Sequence, residues 1–216
     1  MQIKICGLRR EEDVDYVNQH KPDYVGFVFA GKKRRIDYDT ASGLREKLDD
    51  SIPAVGVFID EDIDNVVRLA KNSVIQIIQL HGDEDADYIT RLRNKLEVND
   101  LNDVKLIKAV RVKSFDQVEK AEKLDVDWLL LDAFSENEYG GSGKTFNHDL
   151  IRDIEKPYML AGGVDSKNVT EILELLSRKN VILPFCMDVS SSVETDGYKD
   201  TDKIKDMISA VRSLNI

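Results

Sequence analysis

Eight short runs of apolar and β-branched residues recur along this chain, and no other feature restricts its fold so severely. They read "IKIC" at 3 to 6, "YVGFVF" at 24 to 29, "AVGVFI" at 54 to 59, "IQIIQL" at 75 to 80, "VKLIKAV" at 104 to 110, "WLLLDA" at 128 to 133, "YMLAG" at 158 to 162 and "PFCMDV" at 184 to 189. Between them lie stretches of helical period at 10 to 19, 38 to 49, 61 to 71, 84 to 97, 114 to 123, 166 to 177 and 201 to 213, with a short one near 148 to 152. Strand and helix patterns in strict alternation predict a parallel α/β fold. Eight such units within 216 residues favour a closed (β/α)8 TIM barrel over an open doubly wound sheet. No linker or composition break interrupts the pattern, and 42% hydrophobic content suffices for a large core, so one domain over 1–216 is expected.

Charge and cysteine usage narrow the function classes. A formal net charge of -10 speaks against nucleic acid or an anionic membrane surface as partner. No apolar run reaches the ~18 residues needed to cross a bilayer. The start "MQIKICGLRR" passes directly into strand pattern, so a cytoplasmic protein is expected, as a monomer with a dimer as the alternative. Cys6 and Cys186 are two widely spaced cysteines that form no disulfide framework and no metal-ligand spacing, which predicts reduced thiols.

In a barrel of this kind chemistry gathers at the carboxyl ends of the strands, where the βα loops surround one mouth. Two of those ends have phosphate-binding character. In "LAGGVDSKNV" the pair Gly162 and Gly163 leaves strand seven, and Asp165 or Ser166 can cap the next helix, freeing backbone N–H groups to face an anion. In "MDVSSSVETDG" strand eight runs into Ser190, Ser191 and Ser192, which offer hydroxyls and a short helical turn. Either motif alone is equally a turn or a solvated loop; together, at the two strands where barrels often hold phosphate, they favour a phosphorylated ligand. The run "KKRR" at 32 to 35 follows strand two, and Arg35 is the preferred forked contact to that anion, with Arg34 as the alternative. The loop "ENEYGGSGKTFNHDL" at 136 to 150 lacks the spacing of a nucleotide-binding P-loop and reads as a cover over the mouth.

Side chains alternate along a strand, so Lys4 and Cys6 share a face, and a lone lysine and thiol together point that face into the barrel. Closure pairs strand eight with strand one and brings Asp188 towards Lys4. A nearby ammonium is expected to lower the pKa of Cys6, leaving a thiolate still more basic than any carboxylate. Asp132 ends strand six across the mouth, where it can give a proton while the thiolate takes one. A lone buried cysteine is more often structural; the joint placement favours catalysis.

The ordered pieces "KICGL", "GFVFA", "GVFID", "QLHGDE", "LLLDAF", "GGSGKTF", "AGGV" and "DVSSSVE", from residue 3 to about 197, resemble the phosphoribosylanthranilate isomerase family. The resemblance implies an Amadori rearrangement in tryptophan biosynthesis, with no metal or organic cofactor. It implies Cys6 as general base at C2′ and Asp132 as general acid at the ring oxygen. It also puts phosphate contacts on the "AGG" and "DVSSS" loops and an arginine contact at Arg35. Where the family commonly reads Ser-Ser-Gly this chain has Ser192, which demands either a strained serine or a rearranged loop. His81 is read as lining the mouth, and Asp188 and Arg111 as guesses for contacts to the substrate's aromatic ring. The nearest alternative is a histidine-pathway or dual-substrate aminoaldose isomerase, against which Cys6 argues, since such enzymes use Asp there. A Schiff-base lyase through Lys108 and a catalytically silent phosphosugar-binding barrel are the others.

Overall fold

A computed structural model describes residues 1–132, 154–178 and 181–213. The expected cover loop at 136 to 150 and the short helix near 148 to 152 lie outside the described residues. Eight strands, β1 (Gln2–Cys6), β2 (Tyr24–Val28), β3 (Ala54–Phe58), β4 (Ile77–Leu80), β5 (Lys105–Arg111), β6 (Trp128–Asp132), β7 (Tyr158–Ala161) and β8 (Cys186–Val189), form a closed barrel in sequence order. Every neighbouring pair is parallel, and β8 closes on β1 in the register Lys4↔Asp188. Around them lie α1 (Glu11–His20), α2 (Tyr38–Lys47), α3 (Ile63–Lys71), α4 (Ala86–Val98), α5 (Phe115–Glu122), α6 (Val169–Arg178) and α7 (Thr201–Arg212). The predicted strands and helices are present wherever the chain is described. No helix among the described residues is long and apolar enough to cross a membrane.

Capping carboxylates set the helix boundaries more sharply than periodicity does. Asp62 accepts from the amide of Asp64, and Asp85 from that of Tyr88, so α3 and α4 begin one residue after each cap, at Ile63 and Ala86. The expected starts at 61 and 84 therefore move inward by two residues.

The core has two layers. Outward-facing strand residues and the apolar stripes of the helices make the larger one, including Ile3, Ile5, Phe27 and Leu129. Inward-facing residues of alternate register make the other: Val55, Ile77, Ile107, Ala109, Leu130, Met159, Ala161 and Cys186 fill the barrel. Below them, Tyr24, Trp128 and Phe185 pack edge to face and tilted, with ring centroids 6.0 and 5.1 Å apart. This aromatic floor backs the amino-terminal end and leaves the opposite mouth for chemistry.

The inward row of β1 carries a charge into that interior. Lys4 is fully buried, and its Nζ donates to Asp188 Oδ1 at 2.9 Å. Burial alone would lower the pKa of Lys4, yet the charges of Asp188 and Cys6 outweigh it and hold the ammonium above its ordinary value. Removing one member of such a pair leaves the other charged and desolvated. Lys4→Met is therefore expected to cost about 3–5 kcal/mol in urea unfolding, with much of the loss recovered in Lys4→Met/Asp188→Leu. A single variant as stable as the parent would show that Asp188 finds another partner.

Candidate active site

Cys6 is the last residue of β1, one inward position above Lys4, and it is 8% exposed at the base of the mouth. It is neither turned into the helical shell nor cut off from the rim. Room for the sulfur comes from Gly26, its register partner on β2: a Cβ there would lie 2.7 Å from Cys6 Sγ. A glycine inside a strand marks close approach, and that signal was present in "YVGFVF".

The pKa of Cys6 runs against the sequence expectation. Burial raises it, and the Asp188 charge adds to the rise, while Lys4 and Lys199 pull it down without prevailing. The Lys4 ammonium acts on the thiol by charge and by hydrogen bond, but desolvation of the buried sulfur is the larger effect. Cys186 is completely buried among apolar neighbours and is raised further; both cysteines are free.

Across the mouth, Asp132 ends β6 with its side chain 22% exposed, and His81 Nε2 lies 3.9 Å from its Oδ2. That distance is beyond a hydrogen bond. Burial lowers the pKa of His81 despite the opposing charges of Asp132 and Asp188, so the imidazole is neutral at pH 7. Gln79 fixes the ring by a 2.9 Å contact between its Nε2 and His81 Nδ1. Asp188 faces inward with its Lys4 partner, whereas Arg111 at the end of β5 is exposed.

The phosphate-type loops have the expected local chemistry. Gly162 and Gly163 take positive φ of 92° and 68°, and Gly163 is exposed with nothing within 4 Å of where a Cβ would stand. Asp165 accepts from the amides of Lys167 and Asn168, ordering the turn before α6. After β8, Ser191–Val193 form one 3-10 turn, so Ser192 needs no positive φ and the loop accommodates serine. Ser190 is committed inward: its Oγ donates to the carbonyl of Cys6 at 2.9 Å.

The two candidate arginines face opposite sides of the sheet. The backbone of Arg35 bridges Val28 in parallel fashion and paired residues share a face, so its exposed side chain follows Gly26 and Val28 to the mouth side, while Arg34 shares the other face with buried Ile36 and lies over Gly7. Gly7 has φ of 89°, and a Cβ there would meet Arg34 Cδ at 2.5 Å. Arg35 therefore faces the mouth, whereas the Arg34 fork is engaged by Glu194. Lys108 is also resolved: flanked by inward Ile107 and Ala109, it faces the helical layer and pairs with buried Glu84 at 2.6 Å. That placement removes it as a Schiff-base nucleophile. Among the described residues no group of three or more His, Cys, Asp or Glu is arranged to hold a metal ion.

A closed parallel barrel with a thiol, a carboxyl group and an imidazole around one mouth falls in the class of (β/α)8 barrel enzymes. The model of the N-(5′-phosphoribosyl)anthranilate isomerase family matches residues 3–210. The chain belongs to that family. An isomerase of this name from Endomicrobium trichonymphae is 47% identical over 213 residues, covering 99% of each chain. A crystal structure of phosphoribosyl anthranilate isomerase from Thermotoga maritima superposes with a TM-score of 0.81 at 32% identity, covering 99% of this chain and 100% of the other. A further structure holds that enzyme in complex with reduced 1-(o-carboxyphenylamino)-1-deoxyribulose 5-phosphate; it matches at TM-score 0.78 and 29% identity, again over 99% and 100% of the two chains.

Gly26→Ala drives a methyl into the sulfur, and overpacking of this sort costs about 1–3 kcal/mol, readable by urea unfolding; an unchanged midpoint would mean the thiol has space to retreat. The raised thiol pKa gives a second expectation. Cys6 should react with iodoacetamide more slowly at pH 7 than a solvent cysteine, and the rate should climb about tenfold per pH unit between pH 7 and 8. A flat rate over that range would mean the thiolate is already formed at neutral pH.

Proposed function

We propose that the chain isomerises N-(5′-phosphoribosyl)anthranilate to 1-(2-carboxyphenylamino)-1-deoxyribulose 5-phosphate, the phosphosugar step of tryptophan biosynthesis, by general acid and base catalysis. Asp132 donates a proton to the ribose ring oxygen as the C1′–O bond breaks, leaving an iminium ion. That cation acidifies the neighbouring C2′–H, whose proton passes to Cys6 in its thiolate form, the minority form at neutral pH. The resulting enol then tautomerises to the ketone, so no atom is gained or lost. The observation that carries this reading is the placement of Cys6 and Asp132 on inward-facing strand ends of one mouth.

Burial suits the base. A thiolate formed against desolvation is a stronger proton acceptor than one in water, which matters when the proton is on carbon. Neutral His81 beside Asp132 supports a role for His81 in lining the substrate site. The phosphate is assigned to the amides of Gly162 and Gly163 and the turn at Ser190 and Ser191, on the support of their positive φ values and 3-10 geometry. Arg35 is assigned to an anionic group of the substrate in preference to Arg34, on the support of its mouth-facing position beside Val28. Asp188 acts from beneath, through Lys4, as part of the wall under the sugar. One barrel domain working in the cytoplasm, as a monomer with a dimer as the alternative, completes the reading; a single closed eight-stranded sheet supports the one domain.

Cys6 in the base position favours the anthranilate substrate over the histidine-pathway aminoaldose. The test is the decay of phosphoribosylanthranilate fluorescence on adding the protein, run beside the histidine-pathway substrate. Cys6→Ser and Asp132→Asn should each lower kcat by about 10²-fold or more while the reduced product analogue still binds. A parent protein that leaves the decay at its buffer rate would overturn the reaction, and near-full turnover in Cys6→Ser would overturn the base.

A further inference from the structure

Gln79 puts an amide into an apolar stretch of the barrel interior. Its register partners are Val57 on β3 and Ile107 on β5, and it is 1% exposed. The amide of His81 donates to the Phe58 carbonyl at 2.8 Å, which carries the ladder with β3 one residue past the end of β4. Ile77, Gln79 and His81 therefore share the inward face, one above another.

Only half of this amide is used. Its Nε2 is 2.9 Å from His81 Nδ1, whereas the buried Oε1 has no hydrogen-bond partner among the described residues. A buried oxygen left without a donor lowers stability, and a methionine would fill similar space without that loss. What the glutamine gains in exchange is the contact with the imidazole. An amide nitrogen can only donate, so Nδ1 accepts, and the single proton of the neutral ring stands on Nε2. The other tautomer would set donor against donor. Burial, with the charges of Lys4 and Arg111, keeps the ring neutral against the pull of Asp132 and Asp188, so a choice between tautomers exists. The backbone just beyond is tied as well: the Gly82 amide donates to Glu84 at 2.9 Å, and Lys108 Nζ donates to the Gly82 carbonyl at 2.7 Å. Held from beneath and from its own loop, His81 turns Nε2 towards Asp132 at the mouth.

We propose that Gln79 is a positioning residue that holds His81 as the Nε2–H tautomer, so that the imidazole presents a hydrogen-bond donor to an oxygen of the phosphosugar bound beside Asp132. With the proton on Nδ1, the ring would meet that oxygen lone pair to lone pair. The unpartnered Oε1 is the consequence of aiming Nε2 at the ring. This rests on the reading of His81 as a residue that lines the substrate site.

Two measurements test it. In the parent protein, isotope-labelled at its histidine nitrogens, the ring shifts and two-bond couplings at neutral pH report the tautomer, and His81→Asn identifies the signals. Nε2–H is expected; Nδ1–H would overturn the proposal. Gln79→Met removes the donor and the unpartnered oxygen together. It should lower kcat/KM about tenfold, the worth of one ordinary hydrogen bond, while the melting temperature stays equal or rises. In a His81→Asn background the same change should cost nothing further, because the group it positions is gone. A glutamine present for packing alone would show the reverse, with a lowered melting temperature and kcat/KM unchanged. Either an unchanged kcat/KM or an undiminished loss without His81 overturns the proposal. Gln79→Leu repeats the comparison if Gln79→Met does not fold, and failure of both to fold would assign the amide to the barrel's stability and overturn it too. A parent protein with the expected tautomer but neither turnover nor analogue binding would instead remove the functional reading beneath it.

Discussion

An ammonium inside a barrel is tolerated only if a carboxylate meets it, and the contact between Lys4 and Asp188 is where this chain satisfies that demand. The two residues stand opposite each other on the first and last strands. Their 2.9 Å bond therefore does more than neutralise a charge, because it fixes the register at which the sheet closes. A slip of one residue would send Lys4 and Cys6 to the helix side and bring Ile3 and Ile5 inward. Cys6 reaches the base of the mouth because Lys4 is tied below it, and Ser190 reaches the Cys6 carbonyl because it lies two residues beyond Asp188.

Charge is distributed unevenly around this closure. The chain as a whole is strongly acidic, at -10. Near Cys6, however, Lys4 meets one carboxylate and Arg34 and Lys199 share another. Each of these cations is thus paired with a carboxylate at close range. Lys4 and Lys199 pull the thiol pKa down, but desolvation of the sulfur outweighs them.

The barrel was legible in the sequence because buried strands and amphipathic helices advertise themselves by period. Helix ends were less so; Asp62 and Asp85 shifted them through single hydrogen bonds that a periodic pattern does not weigh. Cys6, Asp132 and His81 were readable as strand ends of one mouth. The choice between Arg34 and Arg35 was not, because it turned on which way one extended residue faces after a parallel bridge. The pKa direction of Cys6 was missed for a similar reason: proximity of Lys4 was inferable, but the depth of burial is a property of packing. A hairpin after β8 carries Glu194 and Lys199 and left a usable trace in its Asp196-Gly197 turn, whereas nothing in "GYKD" marks Lys199 as a buried cation.

The bond between Lys4 and Asp188 spans 184 positions of chain. Contacts so remote are entropically costly to form, and a polypeptide emerging from its amino terminus holds β1 as an unpaired edge until nearly all the remaining strands exist. During that interval a lysine destined for the interior keeps its water, and the strand bearing the thiol has no neighbour on one side. Solvation of Lys4 thus makes premature collapse around β1 unfavourable, so the residue that locks the finished barrel also guards its seam while the chain is incomplete.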